Sequence, residues 1–427
     1  AGQGGPSGWL GAARTFVDDG AVPLRKWISE DSEAGGLATT DSDDSTEATA
    51  ACMDMLPCSQ LWAMMPGFSG RVGFALWVAL VAMSLAIEIY FVISTSFGGE
   101  HAAKEAVRTS NISWAGRVCF DAADASTFGL CLHILVGLHR FLHGHCLRAA
   151  LERERQLGGW PQLARYSNRL AVLALFVFVL MTWNIVFWDF TWGSLFNLRG
   201  WFANVYGTTG VEVFGVLLDA LAWEVFCLLI ASIIVVFGVM WKLTMLDLHR
   251  LCDRIRKDGG ETDWSQLTDE YTQACARMER LWGPGGMAPT LTACVAMLLI
   301  SSLLSVATGT TLKKESLAAY NLMWGILTGG LAVASVLLMA LLQSKCTSPR
   351  WSKHSILNLA VMVSAKVPCA QRLEHMGFKD CVLRNPTSVD LGVLGIVTMP
   401  VAMALFRVFI VSVPFLATFA ASRTQTT

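Results

Sequence analysis

Charge is scarce in this chain. Only 15% of its 427 residues are Asp, Glu, Lys or Arg, where a soluble globular domain carries about 25%. With 54% hydrophobic residues and a mean hydropathy of +0.49, an ordinary soluble domain is excluded. The net charge of −1 leaves no general attraction to nucleic acid. The 12 cysteines form no CxxC pair and no zinc spacing. Most fall in apolar stretches or in segments assigned below to the cytosol, so they read as reduced and structural. There is no GxxxxGK loop to cradle phosphate and no nucleophile elbow. Nothing predicts an enzyme, a cofactor or a bound metal. No basic-then-apolar stretch opens the sequence, so a cleavable signal peptide is not expected.

What the chain has instead is apolar runs of membrane-spanning length. We expect an all-α, polytopic membrane protein with seven spans. They run about Val72–Ser94, Val118–Leu138, Leu170–Phe190, Val211–Trp241, Ala288–Thr308 and Asn321–Leu342, with a broken seventh inside Leu391–Phe419. As one helix that last stretch would be about 43 Å long, more than a hydrocarbon core of about 30 Å. Pro400 is expected to break it into a short helix (Leu391–Met399) and a spanning helix (Val401–Phe419). Arg407, the one formal charge there, is costly in lipid and should face protein or water. A lipid-facing anchor whose arginine snorkels fits the same residues.

Lys and Arg distribution sets the orientation. The loop after span two carries Arg140, Arg148, Arg153, Arg155, Arg165 and Arg169. The loops after spans four and six carry seven basic residues each, while the alternate loops carry three, one and two. The rich loops are therefore cytosolic, which puts the N-terminus inside and the C-terminus outside. Asn111-Ile112-Ser113 is a glycosylation acceptor in a loop that this threading places outside. Residues 1–65, rich in Gly, Ser, Thr and acid, read as a disordered cytosolic arm. Residues 66–427 form the membrane domain, with a cytosolic helical platform drawn from 242–287 and 344–399.

Within that platform Leu248, Leu251, Cys252 and Ile255 continue the fourth helix. Trp264, Leu267, Tyr271, Ala274, Met278 and Leu281 follow in a heptad seam. Ile356–Val363 extends span six, and the short helix before Pro400 is a third element. The platform serves either to join subunits or simply to pack within one.

Several intramembrane groups stand out. Trp183, Asn184, Trp188, Tyr206, Glu212, Ser301, Ser305, Tyr320, Asn321 and Trp324 suit the wall of a small-molecule pocket, or an interfacial aromatic belt. The acids Glu88, Asp121, Asp124, Glu212, Asp219 and Glu224 suit an ion path, or pairing with Arg407 and polar neighbours; pairing is favoured. Gly325 and Gly329 form a GxxxG, read as close helix packing. HRFLHGH (His139–His145) resembles one histidine box of a di-iron desaturase, but no second cluster accompanies it. It reads as a solvated helix end.

Seven spans with an inner N-terminus, the stretch Thr262–Met297 and the segment from Phe378 through Asp390 into a broken last helix resemble the insect gustatory and odorant receptor superfamily. The orientation is opposite to that of G-protein-coupled receptors. In the last helix the family's Thr-Tyr, five apolar residues, Gln-Phe becomes Arg407-Val408, Phe409–Val413, Pro414-Phe415. The resemblance implies a plasma-membrane, ligand-gated, non-selective cation channel for tastants or odorants. It would be a homotetramer, or a heterotetramer with related subunits. It also implies a pore lined by Ala404, Arg407, Val408, Val411 and Phe415, and an outward-opening pocket among spans two to six. Ring-repulsion of cations by four copies of Arg407 then requires that residue to pair, to turn away, or to make the channel unusual. A secondary transporter using the intramembrane acids and a metabotropic receptor are the alternatives.

Overall fold

The computed structural model describes residues 70–97, 114–192, 209–259, 262–311, 315–347, 354–386, 388–392 and 395–424. The expected N-terminal arm (1–65) and Asn111 lie outside these. Among the described residues the chain is helical, with no strand beyond a single bridge between Asp390 and Ile396.

Eleven helices are numbered here in chain order: α1 (Arg71–Phe97), α2 (Trp114–Leu142), α3 (His145–Gln156), α4 (Trp160–Trp192), α5 (Thr209–Asp258), α6 (Trp264–Trp282), α7 (Ala288–Thr311), α8 (Glu315–Thr347), α9 (Ile356–Val363), α10 (Arg372–Arg384) and α11 (Met399–Thr424). Six of them, α1, α2, α4, α5, α7 and α8, are long and apolar enough to cross a membrane, the signature of a multi-pass membrane protein. In α11 the apolar part is the shorter Met399–Phe415.

The expected boundaries hold best where apolarity ends at a loop, as at Ala288. They fall short where polar residues continue a helix. The fourth expected span is the clearest case, because α5 runs 50 residues, about 75 Å, from Thr209 to Asp258. It is the central post. Its apolar half is mostly buried, and α1, α2, α4, α8, α6 and α9 all pack on it. A row α1–α2–α7–α8–α11 forms the rest of the bundle.

The crossings in that row depend on small residues. A side chain at Gly137 on α2 would strike Thr290 of α7. One at Gly325 would come within 3.0 Å of the Ser302 carbonyl and 2.8 Å of Val306 Cγ2. Ser302 Oγ donates to the Gly325 carbonyl at 2.7 Å. The GxxxG of α8 is thus a close contact with α7, as expected.

A second core lies beyond the bundle. Leu248, Leu251, Cys252 and Ile255 of α5 pack with Trp264, Leu267, Tyr271 and Ala274 of α6, and with Ile356 and Ala360 of α9. Every position of the expected heptad seam is buried. Asp263 caps α6 by accepting from the Gln266 amide at 3.0 Å. Ser355 caps α9 in the same way, so Ile356–Val363 is a separate helix and not an extension of the sixth span. Phe378 and Val382 of α10 close this core.

The short helix expected over Leu391–Met399 does not form. Gly392 and Gly395 take φ of +60° and +75°, a region that a helix cannot use and that glycine enters without strain. Asp390 Oδ1 accepts from the Gly392 amide at 2.9 Å, and Val397 N–H donates to the Val389 carbonyl at 3.0 Å. The segment is a tight turn, docked on α7 through Thr292 Oγ1, which donates to the Leu391 carbonyl at 2.9 Å. Pro400 breaks nothing. It occupies the first turn of α11, where a missing N–H costs no helix hydrogen bond. The proline inside α11 is Pro414.

Candidate functional site

The last helix is held by one side. Phe409 reaches into the space above Gly329 and Gly330 of α8, and a side chain at Gly329 would lie 3.0 Å from its ring. Ala402 is fully buried. Successive helical residues are about 100° apart, so Arg407 and Val411 each point about 200° away from Phe409. Ala404, Arg407, Val408, Val411 and Phe415 are all exposed; Val408 is 66% and Val411 and Phe415 are 69% accessible. The five residues expected to line a conduction path therefore share an arc that their own chain leaves uncovered. Among the described residues Arg407 makes no ion pair, so the expected pairing with an intramembrane acid is not formed there. The side chains of Asp121, Glu212 and Asp219 lie outside the described residues.

The expected pocket residues separate into two sets. Ser301 and Trp324 come together, with Trp324 Nε1 donating to Ser301 Oγ at 3.1 Å in a buried site. Trp223 and Phe226 of α5 meet the Trp324 ring at 5.8 and 6.0 Å between centroids, and Phe128 of α2 meets Trp223 at 5.5 Å. Asn321 of α8 is buried, and so is Ser305 of α7, which packs beside Gly325 of α8. This cluster fills the junction of α2, α5, α7 and α8. Trp183 does not join it; it is 65% exposed on α4, which suits an interfacial or lipid-facing ring. The side chains of Asn184, Trp188, Glu212 and Tyr320 lie outside the described residues, as does Tyr206. Trp223 and Phe226 were missed in the sequence because, Glu224 apart, the residues that follow Leu221 are apolar on every side and give no face. Only the contact with Trp324 picks them out.

The remaining intramembrane acids have separate surroundings. Glu224 accepts from Thr182 Oγ1 at 3.0 Å, joining α5 to α4. Glu88 on α1 is buried. His139 stacks on Phe74 at 3.8 Å, and the His139 and His143 rings lie 3.9 Å apart. That arrangement ties the end of α2 to α1.

The second core carries its own polar anchors. Tyr271 donates from its hydroxyl to the Asn385 carbonyl at 2.7 Å, and burial raises its pKa well above the usual phenol range. Burial pushes the neighbouring Cys275 thiol up to about 12, so it is a poor nucleophile. His375, buried under Trp264 at 4.4 Å between ring centroids, approaches the Ala360 carbonyl at 2.9 Å.

Compared with known proteins, the chain matches no family model and no curated sequence.

Proposed function

We propose that the protein is a chemosensory, ligand-gated, non-selective cation channel of the gustatory-receptor type. In this reading it has seven spans, a cytosolic N-terminus and an extracellular C-terminus, and it sits in the plasma membrane. Four copies, or copies with related subunits, surround a pore lined by Ala404, Arg407, Val408, Val411 and Phe415. A tastant or odorant enters from outside toward a site drawn from Trp183, Asn184, Trp188, Glu212, Ser301, Ser305, Tyr320 and Trp324. Asn111 carries the glycan.

One observation carries the reading. Arg407 stands midway along an apolar helix, on the arc turned away from α8, with no ion pair among the described residues. In lipid such a charge costs a few kcal/mol or more. Water or another subunit against that arc removes the cost, and a conduit between subunits supplies both; a neighbouring subunit must then neutralise Arg407, because four unpaired arginines in a ring would repel cations. The second core supports the reading as well, because Leu373 and Met376 of α10 stay exposed beside it and offer an apolar face on which subunits can meet.

The test is whole-cell current on adding sugars, bitter compounds or volatile odorants. Ligand-evoked current is expected, and Arg407→Ala should change ion permeability. Uptake of ligand without current would replace the channel by a transporter, and a response that needs a G protein would replace it by a metabotropic receptor. Four-fold particles are expected in single-particle images. A tag after Thr427 should be accessible on intact cells.

A further inference from the structure

The arginine-rich end of the bundle contains a charged site that the channel reading does not use. It is a cleft open to solvent between α3, α5 and α6, with Arg153, Glu154, Asp247 and Arg277 in its wall together with Leu243 and Met278.

Asp247 of α5 is its hub. Arg153 Nη1 donates to both carboxylate oxygens at 3.0 Å. Arg277 Nε donates at 3.0 Å, and Arg250 Nη1 at 3.2 Å. Arg250 also grips Glu154 with both terminal nitrogens, through Nη1 at 2.6 Å and through Nη2. Glu154 is 3% exposed at its side chain and Asp247 16%. Gly159 lets the chain pass directly over this pair, since a side chain there would meet Glu154 and Arg250.

The charges do not balance. Three guanidinium groups face two carboxylates, leaving one net positive charge. Glu154 is satisfied by Arg250, so Asp247 is shared among three cations. The donors do not balance either. A guanidinium has five N–H donors. Among the described residues Arg277 uses only Nε, and Arg153 only Nη1. Both residues line the cleft. Burial, together with the nearby Arg153 and Arg250 charges, opposes the Asp247 attraction and lowers the Arg277 pKa from the usual range, so a further anion would relieve that side chain. Two half-used planar forks, held in place by one carboxylate, match the oxygens of a phosphate group.

We propose that this cleft binds a phosphate-bearing ligand, either the headgroup of a membrane phospholipid or a free polyphosphorylated sugar alcohol, clamped by Arg153 and Arg277. The location suits both sources. Asp247 lies five residues past Lys242, which sits 5.6 Å from the centroid of the Tyr166 ring at the bundle's end, and the arginines are 28–37% exposed at their side chains. Occupancy would tie α3 and α6 to the central post and make their relative position respond to the ligand.

The test uses the full chain in nanodiscs. Inositol trisphosphate is titrated against protein in phosphatidylcholine discs. In parallel, thermal midpoints are compared in discs with and without phosphatidylinositol bisphosphate. Binding of the soluble probe, weakened tenfold or more by Arg153→Lys or Arg277→Lys, supports a free ligand. A midpoint raised only by the lipid, and abolished by the same changes, supports a headgroup. Both variants keep their charge but lose the fork. As a readout on the unaltered chain, phenylglyoxal labelling followed by mass spectrometry should show Arg153 and Arg277 protected by whichever probe binds. Absence of binding by either probe, equal binding to the lysine variants, or no protection of these two arginines overturns the proposal.

Discussion

The second core and the last helix are both apolar, yet they are covered to very different extents. In the second core Trp264, Tyr271 and Phe378 are fully buried, Asp263 and Ser355 cap their helices, and Arg254 bridges to Glu270 and Gln266 across α5 and α6. Its centre is filled within one chain, but Trp264 Nε1 has no hydrogen-bond partner among the described residues, and Val361, Met362, Leu373 and Met376 stay exposed on α9 and α10. In α11 only one stripe, including Ala402 and Phe409, is matched by α8. Among its described positions Val401, Ala404, Leu405, Val408, Ile410, Val411 and Phe415 are exposed, and so is Arg407. Lipid alone can satisfy the valines and phenylalanine, but it does not satisfy Arg407. The comparison teaches that hydrophobicity here does two jobs, packing a rigid unit and presenting a face to something beyond the chain.

Truncating the second core should have the largest effect. Trp264→Ala opens a cavity in it and is expected to cost about 3–5 kcal/mol, read as a large drop in the thermal midpoint. A midpoint within a degree or two of the parent would mean that this core contributes little to stability. Tyr271→Phe is smaller. It leaves the Asn385 carbonyl with only the weak Cys275 thiol donor at 3.8 Å and should cost about 1–2 kcal/mol.

Acid should weaken the same core through His375. Burial is the first cause lowering its folded-state pKa below the ordinary value, and Lys379 adds to it, while the contact with the Ala360 carbonyl opposes both. The unfolded chain therefore binds the proton more readily. Stability is full above the ordinary histidine pKa of about 6.5 and falls as pH drops through it. Thermal midpoints at pH 7.5 and 5.5 should differ, and the difference should shrink in His375→Gln. An unchanged difference removes His375 as its source. The smallest effect is expected on the open arc. Val411→Ala should change stability by under about 0.5 kcal/mol, as exposed positions do, while altering ligand-evoked current. A loss of stability comparable with Trp264→Ala would show that the arc is packed within the chain after all.

Particular residues show what was legible beforehand. The seam from Trp264 to Leu281 was readable because charged residues separate its apolar positions, so the period stands out, and each seam position is buried. The GxxxG of α8 was readable because small residues at that spacing have few other uses in an apolar helix. The Leu391–Met399 turn was misread. Apolar content favoured a helix, but two glycines three apart after Asp390 carried the stronger local preference. Helix α10 was not assigned a packing role, since its buried Phe378 and Val382 lie among charged neighbours.

Composition and pattern alone determined that the chain is helical, that it has several stretches long enough for a bilayer, and that its basic residues gather at alternate loops, because these follow from counting and spacing. Only the tertiary structure decided which apolar faces are covered, that Trp324 meets Ser301 and Trp223, and that Arg153, Arg250 and Arg277 converge on Asp247. Apart from Arg250, which sits three residues from Asp247 on the same helix, those pairings join residues some 20 to more than 100 positions apart. Local periodicity fixes the face of a helix but not the neighbour that it will meet.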